Sequence, residues 1–388
     1  MRVWEFFKRR RAFWPYVGVV VGLILVGWDL AVAAPTFVRE YQARNDFRLA
    51  YAAATVGVRD GYNHLYDLSA QKAAILGIGP GFNPQPFISP PPLAWVVTPF
   101  LVLPFAPALV VWTLLLLAAL AWTWYLLAPP GRVTRAAHLL LLVGVFPVAF
   151  GVMVGQPGAL VAAAVATSWW LLAHDRPGWA GVALSFLVLK PQLAILVPVC
   201  LLMAGHARTF AAWLIATFFI GMIALVLLGH DGLERYREVL AQTQAPAWDI
   251  TRRYSISGPI GLGPVLNVVQ VVVVGVALLA AWRRGHKGGE GPEIPIAAGI
   301  AGSLLATPYL GFQDFVMLVV AGWLVLRAGA SSWQVALMVV GYALLELVLV
   351  VLAIPILLAE MLFLVSLLWP VRTGDVTPPG AFQARAPA

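Results

Sequence analysis

The sequence predicts an all-α, polytopic membrane protein. Of its 388 residues, 61% are hydrophobic and only 11% are charged, and the mean hydropathy is +0.87. A water-soluble protein must cover its core with a polar surface, and this composition cannot supply one. Apolar runs long enough for helices recur along the chain, which is typical of a bundle of membrane-spanning helices.

The first predicted span covers about residues 13 to 34. The basic residues that precede it are Arg2, Lys8, Arg9, Arg10 and Arg11. Because basic segments are retained on the cytoplasmic side, we expect a cytoplasmic N-terminus. A cleaved signal peptide ending near Ala31-Val32-Ala33 is the alternative. Asp29 interrupts the apolar run before that point and many spans follow, which favours a retained span.

Further apolar runs bring the prediction to about 12 transmembrane helices. They cover residues 107 to 128, 136 to 153, 158 to 174, 178 to 190, 191 to 205, 208 to 229, 263 to 282, 294 to 309, 314 to 328, 333 to 350 and 353 to 369. A full span takes roughly 20 residues, and tilt or packing accommodates shorter ones.

Prolines interrupt one more apolar stretch, residues 90 to 104, in which only Leu93 to Leu103 could form a short helix. If this stretch re-enters, most Lys and Arg residues fall in cytoplasmic segments and both termini are cytoplasmic. We therefore expect a re-entrant element that lines a cavity, because broken backbone at membrane depth needs protein or water around it. The chain is predicted to be one membrane domain, 1–388, with a disordered cytoplasmic tail, 371–388.

This topology places the long loops 35 to 87 and 230 to 262 on the outer side. Each loop contains apolar residues at helical spacing, which predicts helices lying in the membrane interface. In the first loop these residues are Phe47, Ala50, Tyr51, Ala54 and Val58; in the second they are Leu233, Tyr236, Val239 and Leu240, with Glu234, Arg237 and Glu238 opposite.

Charge and cysteine content narrow the class of partner. A net charge of +8 would favour nucleic acid in a soluble chain, but in a membrane protein basic residues orient the spans and contact anionic lipids. We expect membrane lipids, and no nucleic acid, as partners. Cys200 is the single cysteine, so the sequence offers neither a disulfide framework nor a thiol cluster for a metal.

Several segments in the middle of the chain carry a family resemblance. They are NDFRLAYAAA, SPPPLAWVVTPFLVLPF, GQPGALVAAAVATSWWLLA, WAGVALSFLVLKPQLAILVPVCLL, RRYSISGPIGL and TPYLGFQDFVMLV. In this order and spacing they resemble the polyprenol-phosphate-mannose-dependent alpha-(1,2)-mannosyltransferase-like family of the GT-C superfamily. The resemblance implies a GT-C-type bundle in the cell (plasma) membrane. Such an enzyme transfers a hexose, with mannose as the first candidate, from a polyprenyl-phosphate donor to a glycolipid or polysaccharide on the non-cytoplasmic side. The configuration of the anomeric carbon is inverted.

Asp46 matches the acidic residue that the family uses as catalytic base. A sugar phosphate already carries a good leaving group, so the chemistry still needs a base for the acceptor hydroxyl. A carboxylate beside the low-dielectric interface can have its pKa raised toward working pH. The alternative role for Asp46 is a cap on the helix that follows it.

The donor phosphate needs cations outside the hydrocarbon, and the candidates are Lys190, Arg48, Arg252 and Arg253. Lys190 is a lone cation between two apolar runs and matches a Lys-Pro position of the family. Its alternative role is a snorkelling lysine at a helix end. For Arg252 and Arg253 the alternative is anchoring their loop at the headgroups.

Sugar and acceptor contacts are assigned to Gln156, Asp314, Gln313, Tyr309, Tyr66 and Asp67. Gly155-Gln156 matches a Gly-Gln motif of the family, although Gly158 stands where an asparagine often follows. Gln313-Asp314 stands where the family members that modify mycobacterial lipids have two histidines. No cofactor is implied and no metal is required, although a divalent ion held by Asp46 and Asp67 is left open.

Acidic residues within apolar runs motivate the main alternative, an ion-coupled transporter of a small solute or lipid-linked sugar. These residues are Asp29, Glu346 and Glu360. The sequence shows no internal repeat typical of transporters, and its polar residues gather at one face. A scaffold or flippase would not explain that clustering, and a ligase that uses a diphosphate donor is the remaining enzyme alternative.

Overall fold

The computed structural model describes residues 13–36, 45–79, 81–82, 84–243, 245, 252–287, 291–348 and 353–369. Within these residues the fold is all-α. The helices are α1 Trp14–Thr36, α2 Phe47–Arg59, α3 Leu68–Ile78, α4 Pro91–Val97, α5 Phe105–Leu127, α6 Arg132–Gly144, α7 Phe146–Met153, α8 Gly158–Ala173, α9 Pro177–Leu184, α10 Leu196–Met203, α11 Ala207–Gln242, α12 Ser257–Ile260, α13 Pro264–Ala281, α14 Glu293–Ala306, α15 Val316–Arg327, α16 Ser332–Glu346 and α17 Ala353–Ser366. Short 3₁₀ turns join several of them. The basic N-terminal segment and the predicted tail lie outside the described residues.

Four of the described helices are long and apolar enough to cross a membrane. They are α1, α5, α11 and α13; α6 and α7 add a fifth if this pair, bent by 59°, is one span. The protein is therefore an integral, multi-pass membrane protein. The other predicted spans correspond to apolar helices or helix pairs that are individually shorter than roughly 20 residues. The figure of about 12 spans thus stays a prediction.

The runs 178 to 190 and 191 to 205 are broken instead of continuous. Helix α9 gives way to a 3₁₀ turn, Ser185–Leu189, and a second one, Pro191–Leu193, precedes α10. Lys190 lies between the turns with φ −155° and ψ 74°. Pro191 lacks an N–H and disfavours helical geometry in the residue before it, so the helix cannot continue through Lys190. The break places a charged side chain between two apolar segments.

The proline-rich stretch forms α4 and a 3₁₀ turn, Thr98–Val102. The helix begins two residues before the predicted Leu93, since prolines are tolerated in the first turn. Most of α4 is buried, and it packs against α2. Protein therefore surrounds α4, whereas the 3₁₀ turn has no buried residue. Whether the stretch re-enters the membrane stays a prediction.

Both outer-loop helices exist, but neither is an isolated interface helix. Helix α2 buries Phe47 against α5, with its ring stacked 5.2 Å from that of Trp112. Val58, predicted on the apolar face, is instead 59% exposed, because α2 is packed among α3, α4 and α5 and buries a different side at its C-terminal end. The second helix is the end of α11, which continues past a kink at Gly229 (φ +62°).

Helices α9 and α11 approach closely at Gly181. A Cβ atom there would lie 2.7 Å from both Ala212 Cβ and Trp213 N. We expect Gly181→Ala to destabilise the protein by about 1–3 kcal/mol, because the helices must separate. The measurement is thermal unfolding in detergent micelles. Gly178→Ala is the control, since that position in α9 has open space around it. Equal stability of the two variants would contradict this packing.

Candidate active site

The first turn of α2 directs the Asp46 carboxylate away from the helix that it precedes. Asp46 occupies the N-cap position, yet its side chain makes no capping hydrogen bond. Asn45 supplies that bond instead, because Arg48 N donates to Asn45 Oδ1 at 3.1 Å. The Asp46 backbone N donates to Val154 O at 2.7 Å. This contact fixes the start of α2 against the loop that follows α7.

Gly155 lets that loop approach α2. Its φ of +72° lies in the left-handed region, and a Cβ there would come within 2.9 Å of Phe47 Cβ. Trp112 Nε1 donates to Gly155 O at 2.9 Å and ties the loop to α5. The next residue, Gln156, is thereby held beside Asp46.

A continuous chain of side-chain contacts then joins four residues. Gln156 Nε2 donates to Asp46 Oδ2, and Gln156 Oε1 accepts a hydrogen bond from Lys190 Nζ at 2.7 Å. Lys190 Nζ also forms an ion pair with Asp314 Oδ1. The Lys190 and Asp314 side chains are 11% and 3% exposed, and Asp46 is 35% exposed. We call this the Asp46–Asp314 chain; its accessible end is the Asp46 carboxylate.

The opposing influences on Asp46 set its protonation. Burial raises its pKa above the ordinary value of 3.8 and outweighs the rest. The Gln156 hydrogen bond and the positive charges of Arg48 and Lys190 lower the pKa, and the negative charge of Asp314 raises it. The net effect is a partly exposed carboxylate with a raised pKa, which suits a general base.

Arg48 contacts Asp46 from inside the protein. Its Nη1 lies 3.9 Å from Asp46 Oδ1 and donates to Asn45 O, and its Nη2 donates to Gln85 Oε1 at 2.9 Å. The residue is only 1% exposed. The structure therefore brings Arg48 to the predicted base and leaves little of its surface accessible to a phosphate.

The 3₁₀ turn Phe312–Phe315 holds Asp314 in place. The Tyr254 ring packs edge-on against both Phe312 and Phe315, with centroids 5.9 Å apart. Ser257 Oγ donates to Pro308 O, which ties the Tyr254 loop to the segment before Asp314. The loops after α11 and α14 thus support the Asp314 end of the Asp46–Asp314 chain.

The two loop arginines contribute differently from Lys190. Arg252 is buried, and its Nη2 donates to Thr243 O at 2.6 Å, whereas Arg253 is exposed. The Arg252 contact ties together the described parts of the second outer loop. The role of Arg252 and Arg253 in phosphate binding stays a prediction.

The remaining predicted residues divide into two groups. Tyr66 donates to Ser89 O at 2.7 Å and is buried, and Asp67 accepts hydrogen bonds from Ser69 N and Ala70 N as the N-cap of α3. Tyr66 thus bonds to the segment before α4 and stacks on Tyr236 of α11, whereas Asp67 caps the helix that it precedes. Tyr309, by contrast, lies near Asp314. Burial raises the pKa of the Tyr309 hydroxyl, and the negative charge of Asp314 raises it further.

Gln313 lines a cleft beside Gln156. This cleft is small and partly open to solvent, with room for roughly one water molecule. Its other lining residues are Leu120, Val148, Gly151, Val152, Gly158, Ala159 and Val316. Among the described residues, no group of three or more His, Cys, Asp and Glu side chains converges as a metal site.

Sequence reasoning missed Asn45, Gln85, Trp112 and Tyr254. Asn45 could have been found, because asparagine directly before a helical pattern is a preferred N-cap. No local signal marks Gln85, Trp112 or Tyr254, since their contacts come from segments distant in sequence.

The ion pair between Lys190 and Asp314 is expected to couple strongly. We expect Lys190→Met to lower stability by about 3 kcal/mol, because it leaves the Asp314 carboxylate buried without its cation. Adding Asp314→Asn should cost less than the sum of the single changes, by about 2 kcal/mol. Thermal unfolding of the three variants measures this coupling. The exposed Arg59–Asp60 pair is the control and should show no measurable coupling. Additive effects of Lys190→Met and Asp314→Asn would contradict the pair.

Comparison with known families identifies the chain. The family model described as glycosyltransferase family 87 matches residues 87–308, more than half of the chain. Asp46 and Asp314 lie outside the matched residues, whereas Gln156 and Lys190 lie inside them. No curated protein and no solved structure gives a significant match. The match confirms the resemblance to GT-C-type polyprenol-phosphate mannosyltransferases inferred from the motifs. The chain therefore belongs to glycosyltransferase family 87 and is a membrane-embedded glycosyltransferase that acts on a sugar donor and an acceptor.

Proposed function

We propose that this enzyme transfers a hexose, with mannose as the first candidate, from a polyprenyl-phosphate donor to an acceptor hydroxyl. The acceptor is a glycolipid or polysaccharide on the non-cytoplasmic face, and the anomeric configuration inverts. The observation that carries this proposal is the Asp46–Asp314 chain. It places a partly exposed carboxylate and a buried lysine at the two ends of one amide.

Asp46 is the general base in this mechanism. The acceptor oxygen bonds to the anomeric carbon while the bond from that carbon to the phosphate oxygen breaks. The leaving polyprenyl phosphate keeps the electron pair, and the acceptor proton passes to Asp46. Asp46 Oδ2 accepts from Gln156 and Oδ1 lies 3.9 Å from Arg48 Nη1, so the acceptor hydroxyl uses a lone pair on the exposed side of the carboxylate that these two contacts leave open.

Lys190 is the proposed phosphate contact. Two of its three N–H groups are used by Gln156 and Asp314, so one donor is left for a phosphate oxygen. Arg48 supports the base from behind, and Arg252 and Arg253 are further candidates for the phosphate at the loop edge. Asp314, Gln313 and Tyr309 are the proposed sugar contacts, because a carboxylate, an amide and a phenol all bond to hydroxyls.

The proposed setting is a single membrane unit in the cell membrane. Twelve spans with a re-entrant element at 90–104 put both termini in the cytoplasm and the Asp46 segment outside. The transporter alternative is weakened by Glu346, whose Oε2 accepts from Phe146 N at 2.9 Å at the start of α7. Of the three acidic residues that motivated the transporter alternative, Glu346 therefore has a structural role as a hydrogen-bond acceptor.

The experiment is transfer of labelled hexoses from polyprenyl-phosphate donors in membranes that contain the protein. We expect transfer by the wild type and a loss of about 10²–10⁴-fold in Asp46→Asn, because the amide cannot accept the proton. The control is Asp60→Asn, an exposed aspartate of the same loop, which should retain activity. Equal activity of folded Asp46→Asn and wild type would remove Asp46 as the base.

The pH dependence follows from the direction of the Asp46 pKa. A general base works only when deprotonated, so kcat/KM should fall as the pH drops through the Asp46 pKa. Because burial raises that pKa, the acid limb should have its midpoint above pH 3.8. Initial rates at subsaturating donor measure this limb, with viscosity and enzyme stability checked at each pH. An acid limb at or below pH 3.8 would contradict the burial argument.

A further inference from the structure

The Gln156 carboxamide is bonded at both ends by charged groups. Its Nε2 donates to Asp46 Oδ2, and its Oε1 accepts from Lys190 Nζ. The opposite orientation would put the amide oxygen against a carboxylate and the NH₂ group against an ammonium, both of which are repulsive. The neighbouring charges therefore fix the orientation of this amide.

The amide has a direct effect on Asp46. A hydrogen bond donated to Oδ2 favours the charged carboxylate. It also fixes the rotation of the carboxyl group, so that Oδ1 is held 3.9 Å from Arg48 Nη1. The Lys190 charge polarises the amide and strengthens its N–H as a donor. Arg48 and Lys190 are the cations that face Asp46, and Asp314 is the facing anion.

We propose that Gln156 is a positioning residue that couples the general base to the phosphate-binding lysine, and not a sugar contact. Its amide N–H holds Asp46 charged and fixes the orientation of the carboxylate, while its oxygen holds Lys190 in place. This inference rests on the proposed function for its role in catalysis. The coupling itself is a property of the free protein.

A measurement without donor tests the coupling. Full-length protein in micelles is treated with a water-soluble carbodiimide and an amine over a range of pH, and labelling of Asp46 is quantified by mass spectrometry. The reagent reacts with the protonated carboxyl, so the midpoint of labelling reports Asp46 titration. In Gln156→Leu we expect the midpoint to rise by about one pH unit, since a donor to the charged form is lost.

Two further variants make the result decisive. Gln156→Glu has nearly the same shape and should raise the midpoint at least as much, because it adds a negative charge beside Asp46. Gln71→Leu removes another buried glutamine of the outer-loop region, which donates to Leu65 O and accepts from Phe87 N. That control should leave the midpoint unchanged.

An unshifted midpoint in both folded Gln156 variants, or an equal shift in Gln71→Leu, would overturn the proposal. If Gln156→Leu does not fold, Gln156→Met gives the same reading, because it also removes the amide donor and adds no charge. Failure of the proposed function is separate, since it shows as absent sugar transfer by the wild type. A shifted Asp46 midpoint without transfer would leave the coupling standing and would refute the glycosyl-transfer chemistry assigned to it.

Discussion

The structure of the site depends on keeping a lysine charged in a largely apolar protein. Lys190 lies between two apolar segments and is mostly buried, where an isolated ammonium would be very unfavourable. The Asp314 carboxylate and the Gln156 amide oxygen compensate for the lost water. Because the same amide donates to Asp46, the stability of this cation and the orientation of the proposed base are linked.

Helix breaks supply the positions from which these side chains meet. Pro191 prevents a helix from continuing through Lys190. Lys190 therefore lies between two 3₁₀ turns instead of on one face of a regular helix. Gly155 follows the end of α7, and its positive φ turns the chain just before Gln156. Asp314 lies in a third short turn. Breaks of this kind are tolerated at membrane depth where protein or water surrounds them.

The sequence predicts the elements better than their contacts. Composition and apolar runs of helical length are sufficient to predict an all-α membrane fold, because a segment that crosses lipid as a helix satisfies its own backbone hydrogen bonds. The Lys-Pro pair at 190–191 marks a break because of proline chemistry. Periodicity grouped Val58 with Phe47 on one apolar face of α2. The structure buries Phe47 and leaves Val58 59% exposed, because the helices that cover α2 come from elsewhere in the chain.

Long-range pairing is the part that no local pattern contains. Asp46 and Gln156 are 110 residues apart, and Lys190 and Asp314 are 124 residues apart. Each was a candidate by itself, but only the folded chain shows that they form one hydrogen-bonded series. For the same reason the sequence could not show that Arg48 faces inward and contacts Asp46 instead of the solvent.

The most direct test is a structure of the enzyme with a non-hydrolysable polyprenyl-phosphonate hexose. The account predicts a phosphonate oxygen within about 3 Å of Lys190 Nζ, and the Asp46 carboxylate on the opposite side of the anomeric carbon. That arrangement leaves room for an acceptor hydroxyl between the carboxylate and the sugar. A phosphonate bound away from Lys190, or a sugar whose leaving group points toward Asp46, would contradict it.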